Sequence, residues 1–477
     1  MLRSIMLRPP DYSYGDSQPI VAIATALSES ALAIVRTSGK GAIELAAGVF
    51  SCPMELKAAA GNTLTHGWIV DEKGALVDEV LAAVFRPPNG FTGEDAVEFT
   101  CHGGIAVVRA VLRVLIQAGF RQALPGEFSF RSFMNGKLDL TRAESIMELV
   151  ASKTDEARSR AVERLSGVLE REIVAVKAML VDALSSTELL LDYSEDDGIP
   201  DAPDGQFPER EAIVEAQSLL AELAASYRLE RLFREGATVA VAGRPNAGKS
   251  SLFNRLVREE RSIVSETPGT TRDWIEAWVS IHGIPVRLVD TAGLREAPET
   301  VERQGVERSK AILKDADLTI YLVDGAIGEN AEDAELVASL KPETTIRVWN
   351  KVDIADIAPQ GYHAASAVTG QGIHELGEKI SDILESLGGR PGSTRDSGTG
   401  SPGGSMRVGI ASARQKDLVD RALAAVTEAL RRADDGLPLD LVAPEMREAV
   451  DALGEITGEV TSEQILHNMF GRFCVGK

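Results

Sequence analysis

Cysteine is scarce: only Cys52, Cys101 and Cys474 occur in 477 residues, and their odd number and wide separation exclude a disulfide framework and a zinc knuckle. A reducing cytoplasm fits that usage. No run of about 18 apolar residues occurs, so no membrane-spanning helix is expected. The opening MLRSIMLRPPDYSYGDSQP has basic residues but no apolar stretch of signal length; residues 1–17 read as a disordered extension, and translation could begin at Met6. Basic residues are outnumbered, 50 Lys+Arg against 72 Asp+Glu for a net charge of -22, which excludes unaided nonspecific nucleic-acid binding. An RNA substrate would need a local basic patch or a basic partner. Internal repeats are also missing.

What is present is an ordinary globular composition, 44% hydrophobic and 26% charged, on a chain too long for one core. Residues 18–137 mix short β-type runs (PIVAIAT, LAIVRT, VDEVLAAVFRPP) with a helix expected over about 104–118, an α+β unit. From 138 to 234 apolar residues recur at spacings of three and four; one long helix is expected after a capping box at Thr141 and Glu144, and a second over about 209–234. Between 235 and 387, strands (ATVAVAG, VRLVD, LTIYLVDG, TIRVWN) alternate with helical patterns, the signature of a doubly wound, mostly parallel sheet. Residues 388–405, GGRPGSTRDSGTGSPGGS, read as a flexible linker. Residues 406–477 read as helical again, with helices expected at about 412–432, at 444–456 after Pro444, and at 461–470 behind a capping box of Thr461 and Gln464.

The chemistry is concentrated in the α/β segment. GRPNAGKS, Gly243 to Ser250, follows a strand and opens a helix, the setting of a phosphate-binding loop. Backbone N–H groups of Asn246, Ala247, Gly248 and the helix start at Ser250 and Ser251 would surround phosphates, Lys249 would reach the outer ones, and Ser250 would hold magnesium. DTAG, Asp290, Thr291, Ala292 and Gly293, would order magnesium through water and sense the terminal phosphate. In NKVD, Asn350, Lys351 and Asp353 follow another strand. The Asp353 carboxylate would pair with N1–H and the amino group of guanine, donors that adenine lacks there. Ser366 and Ala367, in the ASA stretch, would back the base. SETPGTTRD, Ser265 to Asp273, supplies Thr271 as a second magnesium ligand. A Ras-like enzyme has a water-positioning glutamine after DTAG; here Leu294 stands there.

These motifs, with FTGEDAVEFTCHGG, PGEFSFRSFMNGKLDLTRAES, VERQGVERS and the ending EITGEVTSEQILHNMFGRFCVGK, resemble the tRNA modification GTPase MnmE (TrmE) family over nearly the whole chain. The resemblance implies an N-terminal α+β folate-binding and dimerisation domain, a helical domain and a Ras-like P-loop GTPase domain inserted into it. It implies a cytoplasmic homodimer that joins MnmG (GidA), which carries FAD, in a heterotetramer acting on tRNA. GTP hydrolysis would use Mg2+ and K+, with potassium held by Asn246, Ser265, Thr267 and Thr270 in place of an arginine finger, and Glu302 positioning water. Formyl-tetrahydrofolate or a related one-carbon folate would be held by Arg36, Glu98, Lys137 and Lys477. The loop Ser28-Glu29-Ser30 departs from the family's Gly-Arg-Gly, and Pro268 departs from its usual small residue.

Two functional classes stand beside this one. An RNA-associated ribosome-assembly GTPase switch would share the nucleotide motifs and need an RNA-binding appendage such as a basic KH unit, for which no sequence signal is present. A folate-dependent one-carbon transferase with a regulatory GTPase domain would keep its activity without GTP. Cys474, near the expected end of the last helix, has two readings: a buried thiol, or a presented one serving modification, which the C-x-G-K ending of the family favours.

Overall fold

The computed structural model describes residues 14, 17–192, 209–259, 276–290, 312–355, 357–389 and 408–476. The chain divides into two compact units, Met1–Ala143 with Thr457–Lys477, and Glu144–Ile456.

In the first unit, β1 (Ile20–Ile23), β2 (Leu32–Ser38), β3 (Thr63–Val70), β4 (Leu76–Phe85), β5 (Ala96–His102) and β6 (Arg121–Gln122) form one sheet in the order β3-β4-β5-β2-β1-β6. All neighbours are antiparallel except β1 and β6. Alternation sets the faces: Asp78, Val80, Ala82 and Val84 of β4 are buried, while Glu79 and Leu81 between them are exposed. The short helices α1 (Ala42–Ala47) and α2 (Pro53–Ala58), and the longer α3 (Ile105–Gln117), share the core of that inner face through Ile43, Leu56, Val111 and Leu115. Helix α4 (Glu127–Met134) follows β6.

The second unit holds the helical layer and a second sheet. The expected long helix after residue 140 is three helices, α5 (Leu140–Ala151), α6 (Asp155–Leu165) and α7 (Val168–Asp192). Thr154 starts α6 by accepting from Ala157 N–H, and Gly167 at φ 83° breaks the helical path before α7. Helix α8 (Arg210–Glu235) then leads through Gly236 into β7 (Ala237–Gly243). After α9 (Lys249–Glu259) come β8 (Glu276–Ile281), β9 (Ile284–Asp290), β10 (Leu318–Asp324), α10 (Ala331–Ser339), β11 (Thr345–Asn350), β12 (His363–Ala364) and α11 (Ile373–Leu387). The sheet order is β12-β11-β10-β7-β9-β8, parallel except for β8. Strand β7 lies where the order reverses, the position at which such sheets bind ligands beyond their carboxyl ends.

Past the sheet, α12 (Ala413–Asp434) and α13 (Leu439–Thr457) return to the helical layer. Ile173 and Leu180 of α7, Leu220 of α8, Val426 of α12 and Met446 of α13 share one core, so helices before and after the second sheet in the chain build one helical domain. Helix α14 (Glu463–Phe470) belongs to the first unit with the rest of Thr457–Lys477.

Several local expectations shift. Asp139 rather than Thr141 opens α5, accepting from the N–H groups of Thr141 and Arg142, and Glu144 instead receives Ser412, Arg414 and Gln415. Ser462 caps α14 one residue later than Thr461 would. Pro444 lies inside α13, five residues past its first residue, Leu439. Tyr14, within the segment expected to be disordered, is buried, donates to the Pro125 carbonyl at 2.7 Å and meets Phe130 and His467. Among the described residues no helix is long and apolar enough to cross a membrane.

Candidate nucleotide site and the tail-lined site of the first unit

β7 ends on Gly243, at φ 140°, where a Cβ would overlap the Leu322 carbonyl of neighbouring β10. The following loop turns through Asn246 in the left-handed region (φ 64°) and Gly248 (φ 96°) before α9 begins at Lys249. A Cβ on Gly248 would overlap Asn350 Nδ2, so the residue must be glycine for that approach. Asn246 is exposed. Lys249 is buried, and its ammonium donates to the carbonyls of Gly243 at 2.9 Å and Arg244 at 2.7 Å, folded over its own loop.

Beside it, the Ser250 hydroxyl donates at 2.8 Å to Oδ2 of Asp290, a buried carboxylate at the end of β9. A hydroxyl and a carboxylate held together at the start of a helix are the hard oxygen donors that magnesium takes. The ion would supply charge against phosphate oxygens there.

The residues that the sequence assigns to the base come from the ends of β11 and β12. Asn350, buried, donates from Nδ2 to the Ala247 carbonyl at 2.8 Å, and its Oδ1 accepts from Ala367 N–H at 3.1 Å. One side chain thereby ties the phosphate loop to the Ser366–Ala367 loop. Lys351 takes a left-handed φ of 67°, and its ammonium reaches Asp324 at the end of β10 at 2.6 Å. Ser366 donates to Asp353 Oδ1 at 2.5 Å and accepts from Thr369 N–H at 3.1 Å, fixing an otherwise exposed carboxylate. His363 is buried below this loop against the Gly372 carbonyl at 2.6 Å, and burial pushes its proton affinity below the usual imidazole range. Thus Asn246, Ala247, Gly248, Lys249, Ser250, Asp290, Asn350, Lys351, Asp353, Ser366 and Ala367 lie along one end of the sheet, and Ser251 follows on α9. Ser265, Thr267, Thr270, Thr271, Thr291, Ala292, Gly293 and Glu302 lie outside the described residues.

Arg244, inside the loop motif, was not foreseen as more than a spacer. Its guanidinium donates to buried Asp333 at 2.8 Å and to the Gly328 carbonyl at 2.6 Å, while the Tyr321 hydroxyl donates to the same carboxylate at 2.7 Å. Burial and Asp333 together push the Tyr321 hydroxyl well above its ordinary range. The available signal was Asn330 and Asp333 at capping-box spacing before α10.

In the first unit, Arg36 and Glu98 are cross-strand partners on β2 and β5, with Arg36 Nε 3.6 Å from Glu98 Oε1. The guanidinium lies 4.3 Å from the Phe128 ring centroid and 5.0 Å from that of Phe91. Burial lowers its proton affinity, and Glu98 opposes that shift. Its Nη1 donates at 3.2 Å to the carbonyl of Gly476, and its Nε is buried without a hydrogen-bond partner among the described residues. An orphaned cationic donor between aromatic rings suits an aromatic anion such as a folate.

Lys137 is exposed and donates to the Pro88 carbonyl at 2.8 Å, and no described contact joins it to Arg36 or Glu98. Lys477 lies outside the described residues. Ser28, Glu29 and Ser30 are all exposed. Phe128 is positioned by a buried network that sequence reasoning did not single out: Glu127, fully buried, is engaged by Arg121 and Arg131, and Arg131 extends to Glu94 at 3.3 Å. Cys474 is exposed beyond the end of α14, and its carbonyl accepts from Gly126 N–H at 3.3 Å. The buried-thiol reading therefore fails for Cys474 and holds instead for Cys101, whose thiol burial pushes up to about 11.

Comparison with known proteins bears on both sites. The family described as MnmE helical domain matches residues 140–474, and that described as GTP-binding protein TrmE N-terminus matches residues 19–137. The tRNA modification GTPase MnmE of Treponema denticola is 45% identical over 475 residues, covering 98% of this chain and 99% of that one. The MnmE of Chlorobium luteolum is 40% identical, covering both chains fully. Among solved structures, the G domain of the T. maritima FeoB iron transporter is 28% identical over 31% of this chain and 98% of that chain, at a TM-score of 0.24. Aquifex aeolicus Era bound to GDP and AlF4- is 25% identical over 40% and 66%, at 0.25.

Proposed function

Because the chain belongs to the MnmE family of tRNA modification GTPases, we propose that it couples potassium-dependent GTP hydrolysis to formation of a carboxymethylaminomethyl-type group at C5 of the tRNA wobble uridine. It would act as a homodimer with an FAD-carrying MnmG partner in the cytoplasm. Lys249 and the loop amides hold phosphate, Ser250 and Thr271 hold magnesium, and Asp353 selects guanine. Asn246, Ser265, Thr267 and Thr270 hold potassium. Glu302 positions the water that Leu294 cannot.

The observation that carries the reading beyond GTP hydrolysis is the Arg36–Gly476 hydrogen bond. Gly476, two residues after the exposed Cys474, is bound by a cation that is itself paired with Glu98 and stacked on aromatic rings. Arg36, Glu98, Lys137 and Lys477 are the groups assigned to a one-carbon folate, which supplies the carbon when bound.

Nucleoside analysis of tRNA from cells lacking the protein tests the reading: loss of the wobble modification is expected, and an unchanged nucleoside profile would sink it. Potassium is tested separately. Replacing KCl by NaCl should slow hydrolysis by roughly 10-fold or more while nucleotide affinity changes little, because the ion acts on charge that develops in the transition state. Equal rates in the two salts remove the potassium site.

A further inference from the structure

Strands β8 and β9 form a hairpin with one end at the nucleotide site and the other against the helical layer. β8 starts at Glu276, three residues after Asp273 of the stretch Ser265 to Asp273, and β9 ends on Asp290, the partner of Ser250. Their antiparallel register runs unbroken from Glu276↔Val289 to Ile281↔Ile284, a stiff lever about 20 Å long at roughly 3.3 Å per residue. β8 is the edge strand of its sheet. β9 is in turn paired with β7 from Ala237↔Val286 to Val241↔Asp290, so the hairpin is continuous with the strand that runs into the phosphate-binding loop.

Both the middle of the lever and its turn rest on the helical layer. Lys153, in the connection between α5 and α6, places its ammonium 3.3 Å from the centroid of the Trp278 ring. The same ring packs on Gly236, where α8 becomes β7: a Cβ there would lie 2.8 Å from Trp278 Cζ3 and would overlap the Pro285 carbonyl. At the hairpin turn, a Cβ on Gly283 would lie 3.1 Å from Glu156 Cβ on α6.

Behind these contacts the helices are locked to one another. Arg164 of α6 donates to Glu148 of α5 at 2.8 Å and to Glu230 of α8 at 2.7 Å, and Arg160 donates to Glu230 at 2.6 Å while lying 4.1 Å from the Phe233 ring centroid. Arg164, Glu148 and Glu230 are all buried, so separating them would strand buried charges. These ion pairs tie α5, α6 and α8 to one another.

We propose that the Lys153–Trp278 contact at the Gly236 junction is a coupling element, through which nucleotide state and the packing of α5, α6 and α8 bias each other. The coupling is reciprocal by linkage. It rests on nucleotide binding and not on the tRNA product, so failure of the modification reading leaves it standing.

Amide hydrogen exchange on the full-length protein tests it in the GDP state and with a non-hydrolysable GTP analogue, both with Mg2+ and KCl. Exchange across Asp155–Leu165 is expected to differ by about fivefold or more between the two states, the lower end of typical coupling. Lys153→Ala and Lys153→Met should abolish that difference while amides of 244–251 still respond to nucleotide, which shows the variants folded and bound. Lys153→Arg, which keeps a cation over the ring, should restore it. Helix amides indifferent to nucleotide in the unaltered protein, or responding equally in the Ala and Met variants, overturn the proposal.

Discussion

Gly248 has no room for a side chain, because the Cβ of an alanine would overlap Asn350 Nδ2 and its φ of 96° is strained for any other residue. Gly248→Ala must displace Asn350, which bridges Ala247 to Ala367. Losing those two bonds is worth about 1–3 kcal/mol, so GTP affinity should fall by roughly 10- to 100-fold in a fluorescent-nucleotide titration; unchanged affinity would mean the loop re-forms elsewhere. At Asp353 the effect is on choice of base. Ser366 holds one carboxylate oxygen at 2.5 Å, leaving the group aimed and able to accept two donors. Asp353→Asn cannot accept both, so preference should move from GTP toward XTP, read by competition between the two nucleotides. A variant still preferring GTP would refute the assignment. That these residues meet at one end of the sheet was legible because each motif combines a fixed residue type with a strand end. Arg244 was not legible, because its partner Asp333 is supplied by a distant helix start.

The Ser366–Ala367 loop depends on β12 and the turn after it. His363 Nε2 lies 2.6 Å from the Gly372 carbonyl, so it carries the hydrogen and donates, and burial lowers the ring's proton affinity below its ordinary 6.5. As pH falls, the unfolded chain takes up the proton first. The stability contributed by neutral His363 is therefore complete above about pH 6.5 and is lost as pH drops from there through the lower folded value. His363→Gln should flatten that dependence in chemical denaturation between pH 7 and 5, and an identical slope in the variant would exclude His363 as its source. Elements with strong hydrophobic patterning, such as β7, β10 and α12, were legible within a residue or two. Breaks were not, because they turn on single residues that read two ways. Thr154 and Gly167 sit inside a continuous apolar period, yet one caps a helix and the other adopts φ 83°. Pro444 looked like a start and lies instead within α13, where Arg432 donates to the Leu441 carbonyl of the first turn.

At the scale of the whole molecule, the chain's last residues belong with its first unit, a pairing that no local pattern announces. Phe470 is fully buried, with Phe130 at 5.7 Å and Phe473 at 5.2 Å between ring centroids. Gly126, at φ 68°, allows the tail to pass, since a Cβ there would overlap the Phe470 carbonyl. Gly476 closes the path in the same way against the Ile23 carbonyl. Between these two anchors Cys474 is held by its backbone and exposed by its side chain, so its thiol contributes little to packing and is free to act. Cys474→Ser changes the thiol's chemistry at nearly constant size. It should leave stability within about 0.5 kcal/mol, as for surface changes generally, and leave GTP turnover intact, because the residues assigned to the nucleotide all fall in the other unit. Failure to restore the modified wobble nucleoside in cells lacking the protein, with GTP turnover and thermal midpoint preserved, is the expected result. Full restoration by the serine variant would reduce the tail to an anchor for Arg36. That outcome would leave Gly476, not Cys474, as the residue for which the tail is built.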